Sequence, residues 1–275
     1  MRTRPQFALA AFALLGAASV ASCISGPARA DRTWDTYLAR TAHVEMDASR
    51  FSVAPVSDWS YDSERTVSEA YGAASFEISQ LRQVWFMLEP QPGSRIAAHT
   101  LLLFEFADDR LLGLTIEARR EAGEDYSAVR GAFNTFELSY VWGTARDFLT
   151  RRAVLLDHEV FIYPIAIGDE QKRNLLTRLL ERTAELEQHP RYYNTLFSNC
   201  TNELAKAAGF SWAPAFILTG RSDQYLFRRR IIPGADFSVA RQHADVTAFV
   251  RALNAAPAQD FDAALLAELR RRSGD

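Results

Sequence analysis

Two apolar runs on either side of a short polar turn constrain this chain more than any other feature: HTLLLFEF (99–106) and LLGLTIEA (111–118), separated by ADDR. Such a pair reads as a β-hairpin. With residues 107–109 as the loop, Phe106 pairs with Arg110 and His99 stands opposite Glu117. A slip of one residue would move the partner to the other face of the sheet. FELSYVWG (136–143) and EVFIYPIAI (159–167) read as further strands, bounded by Gly143 and Pro164. Over Asp169–Gln188 the spacing of Leu175, Leu176, Leu179, Leu180 and Leu186 predicts an amphipathic helix, which His189 and Pro190 end. A second helix fits residues 200–208, with Ser198 or Asn199 to cap its start and Gly209 its end. The tail, 238–273, reads as helical with a break near Pro257. Residues 31–66 suit loops and short strands, whereas 67–88 mix strand and helix signals. Strands followed by helices predict an α+β fold, an antiparallel sheet with helices on one side.

The 275 residues are 48% hydrophobic and 24% charged, with a formal net charge of -3. These proportions suit a soluble globular protein that can bury a core without disulfides. The near-neutral balance gives no electrostatic ground for a nucleic-acid partner. At the start, MRTRPQFALAAFALLGAASVASC has Arg2 and Arg4, then an apolar run, then small residues, the pattern of a signal peptide. The run is too short for a comfortable membrane span. Val20-Ala21-Ser22-Cys23 resembles a bacterial lipobox, which would make 1–22 the signal peptide and Cys23 a lipidated first mature residue. Ala28-Arg29-Ala30 offers another cleavage site, before Asp31. Either reading places the protein in the periplasm or on the outer face of the cell envelope. A lipid on Cys23 would hold it to the membrane surface.

With Cys23 lipidated or removed, Cys200 has no partner, which is unusual in an exported protein. A buried inert thiol is one reading, a reactive thiol the other. At a helix start Cys200 would feel the positive end of the macrodipole, which favours thiolate, the nucleophilic form. The unpaired N–H groups of the first turn could hold the oxyanion formed when that thiolate attacks an acyl carbonyl. Alternatively, Ser198 and Asn199 cap an ordinary helix whose Cys200 and Leu204 face the core. Five histidines are available as a base: His43, His99, His158, His189 and His243. His189 suits a helix cap, and His158 lies in a polar loop beside Asp157. His99 has the most suggestive setting, since Glu117 across the hairpin could orient it in a Cys-His-acid arrangement. A structural role for His99 stays open. The cysteines and histidines lack zinc-site spacings, and no nucleotide-binding loop occurs, so neither metal nor cofactor is expected.

The same segments resemble a known family. AHTLLLFEF (98–106), TIEARREAGEDYSAVRG (115–131), ELSYVWGTARDFLTRR (137–152) and PRYYNTLFSNCTNEL (190–204) look like the Lnb N-terminal periplasmic domain family. Its members carry an AHTFLSF-type strand, an EARRE segment, a YELIYV-x-x-x-x-RD segment and FYNTLxxNCT before a helix. LTGRSDQYLFRRRII (218–232) resembles the downstream GxSDxYLY element, and the resemblance extends over residues 31–233. It implies a papain-like thiol fold, circularly permuted so that histidine precedes cysteine, as in lecithin retinol acyltransferases. It implies Cys200 as nucleophile, His99 as base and Glu117 as the orienting carboxylate. Arg119, Arg120, Glu124 and Tyr126 match the same motif in a structural or substrate-binding role, and Asn199 joins the substrate-binding set.

The domain organisation expected is a catalytic domain over 31–235 and a helical extension over 236–275. The activity expected is acyl transfer or acyl hydrolysis on membrane phospholipid or lipoprotein substrates, through an acyl-enzyme on Cys200. A cell-envelope cysteine peptidase or amidase, and a non-catalytic lipid- or lipoprotein-binding protein, are the alternatives.

Overall fold

The computed structural model describes residues 26–273. The signal peptide and the lipidation of Cys23 expected above lie outside the described residues. The hairpin is formed by β7 (Ala98–Phe106) and β8 (Leu111–Arg119), at the centre of an eight-stranded sheet. The Phe106 N–H donates to the Arg110 carbonyl at 3.0 Å, and Asp109 takes φ +59°. A three-residue loop with a left-handed last member is a common hairpin turn, and aspartate tolerates that conformation. Leu101 pairs with Thr115 and Leu103 with Gly113, the register expected from the sequence.

The sheet runs β1 (His43–Met46), β2 (Arg50–Ser57), β9 (Glu137–Gly143), β8, β7, β6 (Leu81–Pro90), β10 (Phe161–Pro164), and β5 (Tyr71–Glu77) joins β2. Only the pairing of β2 with β9 is parallel. Thus 71–90, where strand and helix signals mixed, is mainly strand. β3 (Ser60–Tyr61) and β4 (Thr66–Ser68) make a separate ribbon. The helices are α1 (Ala128–Gly131), α2 (Ala145–Thr150), α3 (Asp169–Gln188), α4 (Cys200–Ala207), α5 (Ser222–Arg228), α6 (Phe237–Ala244), α7 (Thr247–Leu253) and α8 (Phe261–Ser273).

The class is α+β, with a mostly antiparallel sheet, but helices cover both faces of the sheet rather than one. The reason lies in the central strands. Val84 to Leu88 of β6 and Leu101 to Phe104 of β7 are buried without alternation. Strands buried on both sides read as continuous apolar runs and need cover on both. Successive residues take opposite faces. Phe86, Leu88, Leu102 and Phe104 pack with Leu176 and Leu179 of α3 and Leu204 of α4. Trp85, Met87, Leu101 and Leu103 pack with Phe148 of α2, Val250 of α7 and Phe261 and Leu265 of α8. The C-terminal helices therefore bury their apolar sides against the sheet itself.

Gly113 and Gly143 face each other across β8 and β9, beneath the Phe148 ring. A Cβ on Gly113 would fall 2.6 Å from that ring. Gly113→Ala is expected to destabilise by about 1–3 kcal/mol, the usual penalty for overpacking, read as a lower urea midpoint at unchanged slope.

Candidate active site

The hairpin register brings His99 and Glu117 together. His99 Nε2 lies 3.0 Å from Glu117 Oε1 and 2.6 Å from Thr115 Oγ. The Thr115 hydroxyl donates to the same carboxylate oxygen at 2.7 Å. Thr115 and Glu117 are two apart on a strand, so they share a face, and the threonine steadies the carboxylate.

Helix α4 packs against β7 and β8 and presents Cys200 as its first residue. The Asn199 side chain caps the helix, accepting from the Asn202 N–H at 2.8 Å. Its Nδ2 donates to the carbonyls of Thr195 at 2.7 Å and Phe216 at 2.8 Å. At the other end Gly209 takes φ +79°, a left-handed helix stop that glycine adopts freely. Asn202 and Glu203 both direct their N–H groups to Asn199. Those of Cys200 and Thr201 have no acceptor among the described residues, leaving two donors beside the thiol. The thiol sulfur lies 3.9 Å from Thr201 Oγ1 and shares the cleft with His99.

Burial alone would raise the Cys200 thiol. The charge of His99 and the smaller influence of Thr100 together outweigh it, and the thiol is lowered to about 7. Burial also opposes charge on His99, but Glu117 and Cys200 hold the imidazole well above its ordinary 6.5. Glu117 is pressed the same way by burial, yet His99 and Arg152 keep it well below the carboxylate range. Above about pH 7 the site therefore holds a thiolate, an imidazolium and a carboxylate side by side.

Glu89, Arg152 and His158, none of them given a role from the sequence, form a second cluster against the first. Arg152 belongs to the π-helical turn Arg151–Leu155 that follows α2. Its Nη2 is 3.6 Å from Glu117 Oε1, and its Nε donates to Glu89 Oε2 at 2.7 Å. Glu89 Oε1 lies 2.6 Å from His158 Nδ1. Glu89 stands opposite His99 on β6, which explains a buried glutamate at the end of an apolar strand. Burial would raise it; Arg152 and His158 bring it below the usual range. A signal was present, since Arg152 ends the ELSYVWGTARDFLTRR segment, but its partners come from distant strands.

These groups line one cleft of about 430 Å3 together with Cys200. Arg120, Tyr126 and Asn199 line it too. The Asn199 amide is engaged on both sides, so it shapes the helix start at the cleft wall. Arg119 stands elsewhere: it lies under the Trp34 ring, 4.4 Å from its centroid, and donates to the carbonyls of Leu38 at 2.8 Å and Ala39 at 2.7 Å. Instead of meeting a ligand, it ties the 34–39 segment to the sheet.

Residues 68–232, more than half of the chain, match the family model described as the Lnb N-terminal periplasmic domain. No curated protein and no solved structure gives a match. The matched span takes in His99, Glu117 and Cys200, and leaves α6 to α8 outside it. Among the described residues no helix is long and apolar enough to cross a membrane. The strand with His99, the EARRE segment with Glu117 and the NCT helix start all fall within that span, and the chain belongs to the Lnb N-terminal periplasmic domain family.

Proposed function

We propose that the chain is an exported cysteine-dependent acyltransferase or acyl hydrolase acting on lipid or lipoprotein substrates. The observation that carries this reading is the His99–Glu117 pair at 3.0 Å in one cleft with Cys200, whose thiol the His99 charge helps to lower to about 7. The Cys200 thiolate attacks an ester carbonyl carbon and forms a C–S bond. The resulting oxyanion lies beside the Cys200 and Thr201 N–H groups. Collapse breaks the ester C–O bond, and the His99 imidazolium gives its proton to the departing alkoxide. An amine or water, deprotonated by His99, then attacks the thioester and frees the thiolate. Glu117 keeps the imidazolium in place throughout. A histidine on a strand ahead of a cysteine at a helix start is the chain order of a permuted papain-like enzyme, and we read the fold in that way. A lipid on Cys23 would hold the cleft at the membrane surface, where such substrates lie.

Iodoacetamide labelling of Cys200 is expected to rise through a midpoint near 7. Labelling as slow as that of the denatured chain would remove the activated thiol. After incubation with phospholipid vesicles, the intact mass is expected to gain one acyl chain, with no gain in Cys200→Ala. Peptidoglycan cleavage without any acyl adduct would move the mechanism to amide bonds.

A further inference from the structure

Tyr37, in the short 3-10 turn Thr36–Leu38, is only 6% exposed. Its hydroxyl has no hydrogen-bond partner among the described residues, and its side chain lines the cleft that holds Cys200. An unmade hydrogen bond on a buried hydroxyl costs about 1–3 kcal/mol, so an outside partner would be rewarded there. Burial raises the phenol far above its ordinary 10, which makes it a donor at any neutral pH.

Arg151 lies over the Tyr37 ring, 4.1 Å from its centroid, and lines the same cleft. The other cleft arginines answer a carboxylate: Arg152 meets Glu89 and Glu117, and Arg120 meets Asp35 at 3.5 Å. Arg151 has aromatic neighbours, Tyr37 and Tyr61, and no carboxylate in ion-pairing reach among the described residues. Glu89 and Glu117 face the cleft as well, but Arg152 already pairs with both, and His99 with Glu117. The buried carboxylate that feels the Arg151 charge, Asp147, is held by the Tyr61 hydroxyl and the Trp59 N–H and does not line the cleft, so Arg151 has no ion-pair partner there. It stands with Arg152 on the π-helical turn, a distortion that recurs at functional sites.

We propose that Tyr37 and Arg151 form an anion subsite that takes the phosphate of a glycerophospholipid acyl donor and sets its ester carbonyl against Cys200. The proposal rests on the acyl-transfer reading above. A phosphodiester carries one negative charge and two non-bridging oxygens, enough for the phenol and the guanidinium fork together. Tyr37 precedes the span matched by the family model, so half of this subsite comes from outside that span.

The full chain, Arg151→Gln and Tyr37→Phe are compared on phosphatidylglycerol and on diacylglycerol with the same acyl chains, in the same micelles. The preference in kcat/KM for the phospholipid is expected to fall about tenfold in Arg151→Gln, the effect of one charge-assisted hydrogen bond, and by less in Tyr37→Phe. Glycerol phosphate is expected to slow iodoacetamide labelling of Cys200 in the wild type and not in Arg151→Gln. An unchanged preference, or equal losses on both donors, overturns the proposal. Protection by inorganic phosphate but not by glycerol phosphate assigns the cleft to free phosphate and also overturns it. Protection by glycerol phosphate without turnover of either lipid supports the subsite while sinking the acyl-transfer reading. If Arg151→Gln does not fold, Arg151→Lys, which keeps the charge but not the fork, is expected to lose part of the preference.

Discussion

His99→Ala is expected to move the alkylation midpoint of Cys200 from about 7 to 9 or above and to slow acyl release by about 100- to 10,000-fold. The direction follows from what acts on the thiol. Burial pushes it up, and the His99 charge is the strongest influence pulling it down. Without that charge only the weaker influence of Thr100 opposes burial, so the midpoint rises to the ordinary thiol value or above. Glu117→Gln acts one step back. It removes the charge that keeps His99 well above 6.5, so the imidazolium is lost at lower pH and the thiolate loses its partner earlier. Acyl release by the wild type should therefore be bell-shaped in pH, rising through about 7 and falling once His99 deprotonates, with the falling limb shifted to lower pH in Glu117→Gln. Labelling followed by intact mass gives the midpoints directly. An unchanged midpoint in His99→Ala would separate the histidine from the thiol and remove the mechanism.

The largest effect on stability is expected from Glu203→Ala, about 3 kcal/mol. Glu203 is fully buried in α4, one turn after Cys200. It accepts from Tyr140 of β9 at 2.9 Å and meets Lys206 at 2.8 Å, Arg182 of α3 at 3.3 Å and Arg191 at 3.4 Å. The three cations are partly exposed and can turn to water once the carboxylate is gone. Tyr140 is buried and cannot, so its hydroxyl is orphaned. Burial alone would raise Glu203, but Lys206 and Arg191 outweigh it and its pKa lies below the ordinary 4.5. A depressed carboxylate stabilises the fold above its unfolded-state pKa and loses that contribution as pH falls through the folded value. Wild-type stability should therefore decline below about pH 4.5, and the curve of Glu203→Ala should be flatter over that range. Urea unfolding across this range checks both statements. Equal midpoints for the two proteins at pH 7 would show that the helix is held in place by other means. Because Glu203 ties the helix of the nucleophile to β9 and α3, its loss should also reduce labelling selectivity at Cys200.

Part of the site was legible before the chain was folded. A three-residue loop between two apolar runs leaves one register that keeps both runs buried, and that register alone put His99 beside Glu117. Asn199 and Gly209 marked the ends of α4 because capping and left-handed stops are decided within a few residues. The unbroken run of β7 also carried the signal that both faces needed cover, although the order of strands and helices suggested a single layer. Non-local pairing was beyond local pattern. Glu89 joins the site only because β6 adds to the far edge of the hairpin in a register that sets it opposite His99. Arg152 reaches Glu89 and Glu117 only because a π-helical turn follows α2. Tyr37, before the matched span, and Arg151, near its middle, meet with nothing in either segment to name the other. By itself the sequence determined the periodicities, turns and caps, each set by residues a few positions apart. Only the tertiary structure decided which charges share a cleft, because that depends on strand neighbours and helix placement, and burial then makes each charge set the protonation of the next.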